Sequence, residues 1–205
     1  TLVYFVRNCS ERSKALNNCE SMNKLLVKHK ANEFHNLSVI TRKNIYQILI
    51  YIASYKNELY EEIFVPLSER YQQLQAEMNN GQNDEEMRMT LIELCECFEG
   101  ICNGTIATNV TAIWSNIGFI FNDLAKLLMY FHNFNLVVLS ILQLLSQIAS
   151  RVLYLLNEAD SIIFYNSSIA VLNQYAKHNR GLLTKDQSNE EDSYNLILII
   201  MNFLN

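Results

Sequence analysis

Residues 136–156 read LVVLSILQLLSQIASRVLYLL, and the fold turns on whether this run crosses a membrane or packs inside a helical stack. Twenty-one residues of helix are long enough to span a bilayer core. The polar members of the run are Ser140, Gln143, Ser146, Gln147, Ser150 and Arg151. They recur at steps of three and four and so share one face of a helix. A lipid-exposed span does not carry a continuous polar stripe with an arginine. An amphipathic helix of a bundle or solenoid does.

The same period extends outward in both directions. Ile45, Ile48, Leu49 and Ile52 form an i, i+3, i+4, i+7 face over 38–55, with Ser38 or Thr41 as N-cap. A second helix is expected over 57–78, with Leu59, Ile63, Leu67, Tyr71 and Leu74 inward and a kink or break at Pro66. Residues 79–84, NNGQND, form the clearest loop. Further helices are expected over 85–102, 109–131, 136–156, 159–177 and 191–204. They fall into pairs whose first members begin near 38, 85, 136 and 191, a step of about 47–55 residues, close to the HEAT-type period. The fold expected is therefore all-α: an α-solenoid of antiparallel helix pairs over 38–205, with a closed four-helix bundle as its rival. Residues 1–37 are expected to be a helix end and a polar, partly ordered connection.

Composition excludes most alternatives. Five glycines and one proline in 205 residues are about 3% of the chain, where the pair ordinarily makes up about 12%. That is too few for the turns of a β-sandwich or barrel, and no glycine cluster could cradle a phosphate. Half the residues are hydrophobic and 18% charged, against the balance of a disordered chain. A net charge of −5 argues against a nucleic-acid binder, which shows a basic stripe. Five cysteines, odd in number and irregularly spaced, read as free thiols of a reducing compartment. The five Asn-x-Ser/Thr sequons, at Asn8, Asn36, Asn103, Asn109 and Asn166, are close to what chance gives in so asparagine-rich a chain. The first residues contain neither an initiator methionine nor a leader pattern, and the chain is expected to be a section of a longer polypeptide.

Candidate chemistry is sparse. Cys95, Cys97 and Cys102 lie on one predicted helix, but Cys97 points about 200° away from Cys95, so the three cannot converge on one metal and read as core thiols. His29, His35, His132 and His178 form no metal-ligating pair and fall in connections or at helix ends, where solvated or capping imidazole is expected. Glu93, Glu96 and Glu99 make a carboxylate row opposite Leu91, Leu94 and Phe98. A solvated face is expected there, with an acidic strip for a basic partner as the alternative. Trp114 and the tyrosines fall on apolar stripes and read as core. No nucleophile–base pair stands out, so catalytic, cofactor-binding and metal-binding residues are all expected to be none, and no particular residue is singled out for protein binding.

Several strings carry a resemblance. They are YQILIYIASYKNELYEEIF (46–64) followed by Val65-Pro66-Leu67 and Arg70-Tyr71, TLIELCECFEGI (90–101), and QYAKHNRG (174–181) followed after a polar spacer by EEDSYNLILIIMNFL (190–204). Their order and spacing resemble the importin-β superfamily of nuclear transport receptors over about residues 40–204. The resemblance implies a HEAT-repeat solenoid that shuttles between nucleus and cytoplasm. It further implies as partners Ran in its GTP form, nucleoporins, and protein cargo such as the hypusine-containing translation factor and Smad-type proteins, with no direct nucleic-acid or membrane partner. Flexing of such a solenoid can couple one binding event to another. A different HEAT- or armadillo-type scaffold or adaptor remains the alternative reading.

Overall fold

The N-cap at Ser38 sets the frame. Its hydroxyl accepts from the Thr41 amide at 3.3 Å, and helix α2 runs from it over Val39–Ala53. A computed structural model describes residues 19–179, 198–200 and 203. The other helices described are α1 Glu20–Lys30, α3 Glu58–Asn79, α4 Glu85–Gly104, α5 Val110–Phe131, α6 Asn135–Arg151 and α7 Glu158–Asn179. Short 3-10 turns occupy Glu33–Asn36 and Leu153–Leu155. No strand occurs among the described residues. The expected all-α class is therefore observed, and the helix expected over 191–204 lies mostly outside the described residues.

The chain divides into two compact units, Thr1–Asn116 and Ile117–Asn205, with the boundary inside α5. In the first unit alternate helices lie side by side. Helix α2 packs most extensively on α4, α1 packs on α3, and α3 touches both α2 and α4. Two glycines set the α2–α4 spacing. A Cβ at Gly100 would sit 2.5 Å from the Lys43 carbonyl oxygen and 2.9 Å from Tyr46 Cβ, and one at Gly104 would sit 2.9 Å from the Gln47 carbonyl and Ile50 Cβ. Four residues apart, the two glycines share a strip of helix surface that lets backbone meet backbone.

Helix α4 starts where Asp84 accepts from the Met87 amide at 2.9 Å. Its expected inward residues, Met87, Leu91, Leu94, Phe98 and Ile101, are buried. Those of α3 are buried too, and α3 runs unbroken through Pro66, so no break forms there. Residues 20–36 hold a helix and a turn where a polar connection was expected. Met22, Leu26 and His29, at i, i+4 and i+7, bury one narrow face, and that suffices to dock α1 on α3.

In the second unit Phe121, Leu124, Leu127, Leu128 and Phe131 of α5 are buried, as are Ile141, Leu144, Leu145 and Ile148 of α6 and Phe164 and Val171 of α7. Phe121 meets Phe164 edge to face at 6.1 Å. The run over 136–156 is not one helix. Regular α-helix stops at Arg151, the next turn closes with the Leu155 amide on the Val152 carbonyl at 2.8 Å, and Asn157 caps α7 by accepting from the Asp160 amide. Among the described residues no helix is long and apolar enough to cross a membrane.

Candidate functional site

The carboxylate row of α4 is not a solvated face. Glu96 is 8% exposed and Glu99 6%, and both point across the glycine-set gap toward α2. Arg42 enters from α2, itself 5% exposed. Its Nη1 donates to Glu96, and its Nη2 lies 3.8 Å from Glu93. The rest of the guanidinium serves the turn between α1 and α2. Nε donates to the Phe34 carbonyl at 3.1 Å, and Nη2 donates to those of His35 and Leu37 at 2.7 and 3.2 Å. The Phe34 carbonyl also accepts from the Leu37 amide at 3.1 Å, so the guanidinium clamps the 3-10 turn where it closes. Arg70 of α3 pairs with Glu93 at 2.9 Å, and Lys43 pairs with Glu99 at 2.8 Å. Burial pushes the Glu99 carboxyl up, the Lys43 bond opposes this, and Glu96 adds to it. The expectation of a hydrated row fails because α4 packs on more than one side, and its charges are neutralised by side chains 23–56 residues away in sequence.

A second polar network ties α1 to the layer beneath. His29 is 4% exposed, so it is neither solvated nor a cap as expected. Its Nε2 bonds the Ile63 carbonyl of α3 at 2.9 Å, and its Nδ1 meets the Tyr46 hydroxyl of α2 at 3.0 Å. A carbonyl only accepts, so Nε2 carries a proton, and in the neutral ring Nδ1 then accepts from the Tyr46 hydroxyl. The Cys97 thiol of α4 is hydrogen-bonded to the same hydroxyl. Ile63 lies three residues before Pro66, in the turn where a proline disturbs the helical ladder. Burial lowers the His29 pKa; the Ile63 bond opposes this, and Arg70 and Lys30 reinforce it. His35 and His132 do sit at helix ends, bonding the Asn32 and Met129 carbonyls at 2.8 Å. His178 stacks on His132 with ring centres 4.1 Å apart.

The three α4 cysteines are core thiols, as the helical angles imply. All are buried, with Cys97 pushed up to about 12 by burial while the Tyr46 bond opposes the shift. Burial pushes Cys95 and Cys102 further up. Among the described residues no group of three or more His, Cys, Asp or Glu side chains could hold a metal ion. In the folded chain Cys95, Cys97 and Cys102 are expected to resist an aromatic disulfide reagent at pH 8, while Cys19 reacts at once. Counting thiols released before and after guanidinium unfolding measures this. Rapid native labelling of more than one α4 thiol would contradict it. Trp114, Tyr46 and Tyr71 are buried as expected, whereas Tyr154 and Tyr165 are exposed. Of the sequons, Asn109 is 2% exposed and its amide donates to Ser54 and to the Gly104 carbonyl.

A polar cleft of about 670 Å³ opens between the 32–35 turn, α3 and the start of α4. Glu77, Asp84, Glu86 and Glu93 line it against Arg70 and His35, so its potential is negative and suits a cationic side chain. Charge patterning alone did not place it, because α3 and α4 contribute opposite walls. No family model matches the chain.

Proposed function

We propose that the chain is a section of an exportin-4-like nuclear transport receptor of the importin-β superfamily, acting by protein binding rather than catalysis. The observation that carries this reading is the joint resemblance of the three strings, in order, in a chain of successive helices. The Val65-Pro66-Leu67 step falls inside an unbroken α3, TLIELCECFEGI is the heart of α4, and Gln174–Asn179 forms the last turns of α7. Side-by-side packing of alternate helices in the first unit is the contact pattern that a HEAT-type solenoid repeats. On this reading the partners are Ran in its GTP form, nucleoporins and protein cargo, including the hypusine-containing translation factor and Smad-type proteins, with shuttling between nucleus and cytoplasm. The acidic cleft between α3 and α4 offers a protein ligand a charged recess.

The test is affinity capture with the intact polypeptide that contains this chain, with Ran loaded with GTP or GDP and each cargo class added in turn. GTP-dependent Ran binding that changes cargo affinity is expected. Failure to bind Ran-GTP would overturn the reading, and recovery of vesicle-coat or adaptor components without Ran or nucleoporins would favour the other scaffold class.

A further inference from the structure

We propose that His29 is a proton-operated latch: its neutral ring fastens α1 and the 33–36 turn onto α2 and α3, and its protonation releases them. The bonds around the ring suit its neutral form. Nε2–H donates to the Ile63 carbonyl at 2.9 Å, and Nδ1 accepts from Tyr46 at 3.0 Å. Tyr46 is 2% exposed and its ring stands edge-on to the imidazole at 5.4 Å, while Phe34 stacks at 6.2 Å on the His29 ring. A second ring proton would sit on Nδ1 and face the hydrogen of the Tyr46 hydroxyl. The hydroxyl could accept it only by turning its own hydrogen away, toward the Cys97 sulfur already bonded to it.

The surrounding charges do not favour a cation there. Lys30 of α1 and Arg70 of α3 act on the ring, and Arg42 of α2 acts on its Tyr46 partner. Among the nearby carboxylates Glu62 pairs with Lys30 at 3.0 Å, Glu93 with Arg70 and Glu96 with Arg42, while Glu69 of α3 lines the cavity beside the ring as its one acidic neighbour there. A cavity of about 200 Å³ beside the latch, lined by His29, Lys30, Asn32, Pro66, Glu69 and Arg70 among others, gives the released segment a path into water.

The sign follows from linkage. A histidine whose folded-state pKa is lowered contributes stability above its unfolded pKa, and that contribution is lost as pH falls below it. The open population should rise by up to about tenfold per pH unit below about 6.5, until the folded-state value is reached.

Hydrogen–deuterium exchange of the 205-residue chain between pH 7.5 and 5.0, corrected for intrinsic rates, tests this. Amides of 20–36 are expected to lose protection on acidification while those of α4 keep it. His29→Gln, which can donate to Ile63 and accept from Tyr46 but cannot titrate, should abolish the step although His35 is still present. Tyr46→Phe removes the bond that only neutral His29 accepts, so it should move the step to higher pH; this variant decides the matter if His29→Gln fails to dock α1 at pH 7.5. Protection that does not change with pH in the parent chain overturns the proposal. So does an unchanged step in His29→Gln, or an unmoved midpoint in Tyr46→Phe.

Discussion

Replacing Arg42 with methionine is expected to lower the stability of the first helical unit by about 3–5 kcal/mol, a large share of the total for a domain of this size. The guanidinium meets two carboxylates of α4 and three carbonyls of the 34–37 turn, and methionine fills its stem but meets none of them. Glu93 keeps Arg70 as a partner, but Glu96 is left as a buried charge. Removing one member of a buried pair strands the other, and this sets the size of the effect more than the worth of the pair itself. Arg42→Met combined with Glu96→Met should therefore recover part of the loss. Urea unfolding followed by fluorescence of Trp114, buried in the same unit, measures both variants. A loss below about 1 kcal/mol would class the bridge with ordinary surface pairs. Equal losses in the single and double variants would shift the effect onto the three carbonyl bonds.

Gly100→Ala is expected to be destabilising by about 1–3 kcal/mol, although the same change in an exposed helix interior stabilises by about 1 kcal/mol. The added methyl would meet backbone: the Lys43 carbonyl oxygen at 2.5 Å and Lys43 Cα at 2.9 Å. Neither atom belongs to a flexible side chain that can swing aside, so α2 and α4 must separate. Separation stretches the Lys43–Glu99 and Arg42–Glu96 bridges and loosens the Tyr46–Cys97 contact. Faster labelling of Cys97 should therefore accompany the lowered urea midpoint. Unchanged or raised stability would mean that the two helices can slide apart at no cost.

Helix positions were legible because the apolar residues of α3, α4 and α5 repeat with the helical period and their ends carry recognisable caps and loops. Ser38, Asp84 and the 79–84 loop are local signals that need no knowledge of the rest of the chain. The charge ladder was not legible. Periodicity finds one buried face per helix, whereas α4 is covered along Glu96, Gly100 and Gly104 as well as along Leu91, Leu94 and Phe98. One available signal was the glycine pair itself. Two glycines four apart on the apparently polar side mark a close backbone approach, and the acids beside them then need buried partners. Arg42 lies 54 residues from Glu96, beyond the reach of any local pattern. The same limit hid His29, whose partners at Tyr46 and Ile63 come from two other helices.

The side-by-side packing of alternate helices also bears on how the chain comes to be folded. Each α1–α3 or α2–α4 contact skips a single helix, so the polar contacts between them close sequence separations of 32–56 residues. Loop closure over such spans grows only slowly with length. Both rows of the first unit can thus close as soon as Gly104 has emerged from the ribosome, without waiting for α5. During synthesis the unpaired acids of α4 meet Arg42 and Arg70 already waiting on finished helices, which favours assembly from the amino-terminal side.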